Sequence, residues 1–264
     1  MRLTHLFLGA TALLLATSLT GCSSLLDELV EYAPAASAPT SQPDAGADAV
    51  PAPAAVADAD YFTVLGGAER LYAPAASGAI EYCPLDGLGR AVCAYGELTS
   101  SLRDAAQQRG RQDITVDPAG WTGDNTEVLI PALPDVEGSR DYRGWFWNRS
   151  HLVADSLGGD AQRENLVTGT RTQNVGSAQV SGQYAGGMAH AEVIARDYLD
   201  QHNGDACPLY YAATPVYAGD ELVPRSVLVD LQSCDQAVDM RVEVSNTANG
   251  WAVDYVTGAF VAAG

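Results

Sequence analysis

The apolar positions of this chain fall into three regimes. Residues 6–19 form an almost unbroken apolar run behind Arg2, residues 23–60 are mostly Ala, Pro, Ser and Asp, and from Tyr61 onward short apolar runs alternate with Gly, Pro and charged residues. Only the last regime can bury enough apolar surface to build a core. Within it, residues 61–95 read as strands and loops and 98–109 as a short helix. A loop around Pro118-Ala119-Gly120-Trp121 precedes a strand at 128–130. Residues 142–147 are aromatic and apolar after turn residues, which predicts one strand running directly into Asn148-Arg149-Ser150-His151. Gly158-Gly159-Asp160 then breaks the chain, and 165–174 should hold a turn and the start of a short helix. The clearest helix is 187–202, with Met188, Ala191, Ala195, Tyr198 and Leu199 at helical spacing and Gly204 as its stop. Strands of a sheet are expected at 209–216 and 226–231, with further strands at 238–244 and 251–256. There is no internal repeat, and a mixed α+β domain is the economical reading.

The run at 6–19 is too short and wrongly flanked for a spanning helix and reads as a secretory signal. It closes on Leu19-Thr20-Gly21-Cys22, which resembles the lipobox of bacterial lipoproteins. That resemblance implies cleavage before Cys22 and diacylglycerol on its sulfur. The expected organisation is a signal peptide over 1–21, a lipidated Cys22 leading a disordered tether over 22–60, and one folded domain over 61–264. The protein would then sit on the extracellular face of the bacterial membrane. Its acyl chains would hold it there at about 0.8 kcal/mol per buried methylene.

The formal net charge is −19, and all 14 basic residues are Arg. Asp27, Glu28, Glu31, Asp44, Asp48, Asp58 and Asp60 fall in the tether, which holds no Arg, so the folded part is less acidic than the total suggests. This balance excludes tight non-specific nucleic-acid binding over the whole surface, because that attraction grows with the phosphates neutralised. It leaves room for a local cleft in which planar guanidinium groups grip phosphate. Beyond Cys22 the cysteines are Cys83, Cys93, Cys207 and Cys234, an even number in an exported chain and without zinc spacing, which points to two disulfides. Three connectivities exist, and proximity in sequence favours Cys83 with Cys93 and Cys207 with Cys234.

Hydrolysis of a phosphodiester needs a base for water, a cation for the developing charge and groups that hold the phosphate. His151 is one of four histidines, with His5 in the leader and His190 and His202 in the late helix. A neutral imidazole is the usual base near pH 7. By itself a single histidine is more often structural, but its surroundings reverse that weighting. The segments Trp147-Asn148-Arg149-Ser150-His151-Leu152, Ser156-Leu157-Gly158-Gly159 and Asn165-Leu166-Val167-Thr168-Gly169-Thr170-Arg171-Thr172-Gln173-Asn174-Val175-Gly176 together resemble the DNA/RNA non-specific endonucleases, and within them the streptodornase-like extracellular nucleases.

The resemblance implies a ββα-metal (His-Me finger) core on a central mixed or antiparallel sheet with flanking helices. It makes His151 the general base and Asn174 the sole protein ligand of Mg²⁺, with Mn²⁺ as an alternative, since a neutral amide oxygen suits a hard cation that keeps most of its waters. It also assigns Asn165 to support of the histidine and phosphate, and Glu192 to the outer shell of the metal, against an i to i+4 pair with Arg196. Arg149 would hold a phosphate or brace the fold, and Arg171 would clamp phosphate or leaving group, against a solvated helix-start arginine. The common motif Asp-Arg-Gly-His departs here at Asn148 and Ser150. Asp117, Arg140 and Trp147 are read as structural. The implied function is endonucleolytic hydrolysis of DNA, with RNA left open, giving 5′-phosphate ends. No protein partner is inferred. Two rivals stand beside it: an inactive nuclease-fold lipoprotein that captures extracellular DNA, and a structural or adhesive surface lipoprotein.

Overall fold

The computed structural model describes residues 59–202 and 204–264. The expected signal peptide, Cys22 and nearly all of the tether lie outside the described residues. Six strands make the main antiparallel sheet: β1 (Phe62–Gly66), β2 (Ile80–Tyr82), β3 (Ala94–Leu98), β10 (Leu209–Val216), β11 (Ser226–Ser233) and β12 (Asp239–Ser245), in the order β1-β12-β11-β10-β3-β2. Leu209, Tyr211 and Ala213 of β10, Val227, Val229 and Leu231 of β11, and Val242 and Val244 of β12 are all buried, with the period of two that aims alternate side chains at one face. Against that face packs α3 (Gly187–Gln201), whose Met188, Ala191, Ala195 and Leu199 are buried in the same cluster. Each large apolar side chain buried there contributes about 1.5–3 kcal/mol. The opposite face of the sheet is crossed by the chain after β1. Ala68 N–H donates to Asp239, Glu69 N–H to Asp230 and Tyr72 N–H to the Tyr210 hydroxyl.

The helix expected over 98–109 is α1 (Ser100–Arg109). Thr99 caps it by accepting from Leu102 N–H, and Gly110 ends it with φ 75°. The helix expected over 187–202 ends at Gln201 with His202 as its cap, before the anticipated Gly204. The single strand expected over 142–147 is two. β5 (Tyr142–Trp145) pairs with β4 (Glu127–Ile130), whereas β6 (Trp147–His151) pairs with β7 (Leu166–Thr170). The break falls at the fully buried Phe146, whose N–H donates to Thr126 and whose carbonyl accepts from Arg171 N–H, leaving it in neither ladder.

A second core gathers Ile130, Phe146, Trp147, Val223, Ala248 and Tyr255. Over it lies a hairpin of β13 (Trp251–Val253) and β14 (Phe260–Ala262), so the strand expected at 251–256 is shorter and belongs to its own ribbon, not to the main sheet. Trp147 is structural, as read: its Nε1–H donates to the Gly258 carbonyl. A third ribbon, β8 (Gln179–Val180) with β9 (Gln183–Tyr184), precedes α3. The disulfides are Cys83–Cys93 and Cys207–Cys234, the pairing favoured by proximity. Among the described residues no helix is long and apolar enough to cross a membrane.

Candidate active site

The stretch expected to hold only a turn and a helix start at 165–174 contains a buried strand, β7, followed by α2 (Arg171–Val175). With β6 this makes a strand–strand–helix unit. His151 lies opposite Leu166 at one end of the hairpin and Trp147 lies opposite Thr170 at the other. α2 starts at the Trp147 end and folds back across the strands. Thr170 caps it by accepting from Gln173 N–H, and Asn246 Oδ1 takes the Thr170 N–H. Through this return, Asn174 comes level with Ser150, whose hydroxyl donates to Asn174 Oδ1 at 3.0 Å. Asn174 of α2 is thereby joined to β6 at Ser150, the residue that precedes His151 in that strand.

His151 is half-buried as a residue, but its Nε2 is sealed from solvent and finds no hydrogen-bond partner among the described residues. Burial pushes its pKa down to about 4, with Arg111 and Arg109 pushing the same way and Asp155 opposing them. The imidazole is neutral at pH 7 with a nitrogen that nothing in the fold uses. Around it, Asp155 accepts from Arg109 Nη2 at 2.7 Å and from Gln112 Nε2 at 2.6 Å, which clips the end of α1 to the loop after β6. Arg109 and Arg111 lie about 40 residues before His151 in the chain, and tertiary packing brings their charges to bear on it.

Asn165 is fully buried and its amide is committed. Oδ1 accepts from Val153 N–H at 2.9 Å, and Nδ2 donates to the Val153 and Asp160 carbonyls, each at 2.9 Å. Both of its N–H hydrogens are spent on the loop that follows His151, so Asn165 positions that loop and offers no donor to a phosphate. Arg149 donates from Nε and Nη2 to Asp117 Oδ1 at 2.8 and 2.6 Å and lies 4.2 Å over the Trp121 ring. Arg171 is not the solvated helix-start arginine of one of its two readings. It is 3 % exposed, and its guanidinium sits 4.9 Å from the Tyr142 ring and 4.6 Å from the Tyr184 ring. Its Nε and Nη1 find no acceptor among the described residues. It joins β5, α2 and β9 by cation–π contact.

Glu192 faces Arg196 at 3.6 Å in the i to i+4 pair, and Arg196 also donates to the Ser156 hydroxyl. The pair lies near the fully buried Tyr211, whose hydroxyl donates to the carbonyl of Leu152, the residue after His151. Asp60, counted with the tether, is a site residue that sequence reading missed. It is buried and accepts from Ser177 N–H, Ser177 Oγ and Ala178 N–H at 2.6–2.9 Å, so it holds the chain three residues past Asn174. Nothing in the composition of 23–60 separates it from the other tether acids.

Among the described residues no group of three or more His, Cys, Asp or Glu could hold a metal ion. That excludes a cage of such ligands there; the Asn174 amide oxygen, for its part, has a second lone pair beyond the Ser150 bond. Such a donor fits a hard, largely hydrated cation.

Residues 132–235 match the family model described as DNA/RNA non-specific endonuclease. A deoxyribonuclease of Streptococcus dysgalactiae subsp. equisimilis is 32 % identical over 205 residues, which span 69 % of this chain and 60 % of that relative's own length. Among solved structures, that of Sda1 nuclease with bound zinc ion superposes with a TM-score of 0.67 at 30 % identity, covering 78 % of this chain and 98 % of that one. The structure of NucA from Streptococcus agalactiae with magnesium ion bound superposes at 0.57 with 24 % identity, over 75 % and 84 % of the two chains. The α+β fold with its strand–strand–helix unit is the ββα-metal architecture of these neighbours. On sequence and fold together, this chain belongs to the DNA/RNA non-specific endonuclease family, in its streptodornase-like branch.

Proposed function

We propose that this chain is an exported, lipid-anchored endonuclease that hydrolyses DNA with one divalent cation at Asn174 and His151 as general base. The observation that carries the reading is the buried, unpartnered Nε2 of a neutral His151 on β6, the strand whose Ser150 donates to the amide oxygen of Asn174. The zinc ion of the similar Sda1 nuclease supports a divalent-cation site of this kind. When bound, Mg²⁺ or Mn²⁺ would neutralise the charge that builds on the phosphoryl oxygens. His151 takes a proton from water, and the resulting hydroxide attacks phosphorus in line with the 3′ oxygen. The P–O3′ bond breaks, the departing oxygen takes a proton from solvent, and the products carry 5′-phosphate and 3′-hydroxyl ends. Asn165 holds the loop beyond the base, and Arg149, released from the exposed Asp117, can meet a phosphate. Glu192, on the face of α3 near Tyr211, is the outer-shell carboxylate of this scheme. The two disulfides suit an oxidising extracellular compartment, and the Cys22 lipobox supplies the anchor.

Digestion of plasmid, single-stranded DNA and RNA with Mg²⁺, with Mn²⁺ and with EDTA tests the proposal. The expected result is metal-dependent shortening of DNA, with the RNA arm defining substrate range. His151→Ala should lower the rate by about 10²–10⁴ with the circular dichroism spectrum retained. A band that shifts without shortening would mark a capture protein and overturn the assignment.

A further inference from the structure

Ser150 stands where the common motif of this family has glycine, and it is fully buried, opposite Val167 in the middle of the β6–β7 hairpin. A residue at such a position needs no hydroxyl to pack. Its Oγ nevertheless donates to Asn174 Oδ1 at 3.0 Å, and Asn174 is the residue whose amide oxygen the proposed function uses. We propose that Ser150 is a positioning residue that decides which end of the Asn174 carboxamide is presented to the cation.

The argument starts from the amide itself. Its oxygen accepts and its nitrogen only donates, and the two ends are nearly equal in size, so packing alone distinguishes them poorly. An amide turned the wrong way offers a cation two N–H groups, which repel it. A hydroxyl that donates to the oxygen fixes the end that faces the hairpin and leaves the second lone pair of that same oxygen for a further partner. Two opposed effects follow. The hydrogen bond draws electron density from the oxygen and weakens it as a donor, while it also removes the wrong orientation in advance. For a hydrated cation held by one neutral oxygen, the contact is weak in either case, so orientation decides. Supports of this kind to a ligating side chain are worth about 10–100-fold in metal affinity.

The surroundings leave Asn174 few other means of orientation. α2 is only five residues long, and its caps and anchors, Thr170, Asn246 and Asp60, act on its backbone and flanks. The helix is fixed from outside; the end of the carboxamide that faces the ion is fixed by Ser150.

The inference rests on the reading of Asn174 as the metal-holding residue, and the experiment separates the two. Mn²⁺ binding to the full chain, without nucleic acid, is followed by electron paramagnetic resonance for the parent, Ser150→Ala, Ser150→Cys and Asn174→Ala, with thermal melts of each. Ser150→Ala should weaken Mn²⁺ binding about tenfold. The Mn²⁺ concentration for half-maximal cleavage should rise by the same factor. Ser150→Cys, nearly the same size and a much poorer donor, should fall between alanine and the parent and keeps the test available if the alanine variant melts early. If Asn174→Ala abolishes binding while Ser150→Ala binds as the parent does, or more tightly, Ser150 has no positioning role. If Asn174→Ala still binds Mn²⁺ like the parent, the metal assignment itself fails.

Discussion

At the scale of single residues, His151 is kept neutral by burial, not by a partner. An imidazole paired with a carboxylate would be held protonated to higher pH; His151 is instead driven down to about 4, and Arg111 and Arg109 reinforce burial against the pull of Asp155. A base that must be unprotonated then works down to a lower pH than a free histidine would permit. The acid limb of kcat/KM should bend near pH 4 and not near 6.5. Removing one neighbouring positive charge tests the cause. Arg111→Gln should move that limb to higher pH by a few tenths of a unit, since protonation of His151 becomes less costly, and the same displacement should appear in an NMR titration of the imidazole. A limb that stays in place would show that Arg111 does not act on His151. Arg171 shows another use of burial: a charge between Tyr142 and Tyr184 links three elements.

At the scale of elements, the ββα unit depends on a contact from far away in sequence. Asp60 lies more than 110 residues before Ser177 and Ala178, yet its carboxylate accepts both of their N–H groups and the Ser177 hydroxyl in a buried site. Gly176 and Gly186 crowd the same carboxylate so closely that a Cβ on either would overlap it. Asp60→Ala leaves buried donors unpaired at about 1–3 kcal/mol each, so a loss of about 3 kcal/mol is expected in urea unfolding, with the m-value unchanged. A loss below about 0.5 kcal/mol would mean that the donors find water instead. This contact also marks the limit of reading by sequence. The family was legible because the whole unit from Trp147 to Gly176 is contiguous and its spacings are characteristic. Where each element begins was less legible, because Phe146, apolar like its neighbours, interrupts a strand only through contacts made by Thr126 and Arg171. β7 was missed because Leu-Val-Thr-Gly-Thr is buried on both faces and shows no alternation. The burial of Asp60, counted with the tether, was not legible because it depends on partners that sequence order cannot bring near.

At the scale of the whole molecule, the order β1-β12-β11-β10-β3-β2 places chain segments separated by up to about 180 residues side by side, which periodicity alone cannot reveal. What that assembly encloses sets how the fold responds to acid. In the unfolded chain a histidine titrates near 6.5, whereas in the fold burial holds His151 at about 4 and also lowers His190, against a bond from Ala185 that pulls the other way. Between these values the unfolded state binds more protons than the folded state, so acid favours unfolding. The stability due to neutral His151 is complete above pH 6.5 and is lost as pH falls towards 4, at a slope approaching about 1.4 kcal/mol per pH unit. His190 adds in the same direction. Asp200, held below the usual carboxylate range by its hydrogen bond from Arg103, loses its contribution only at lower pH, which separates the two windows. Urea unfolding from pH 7 to pH 4.5 should therefore show a steady loss of stability in the parent. In His151→Gln the slope between pH 5 and 6 should shrink by about 1 kcal/mol per unit. Equal slopes would mean that this imidazole titrates alike in both states, and that the fold does not hold it neutral.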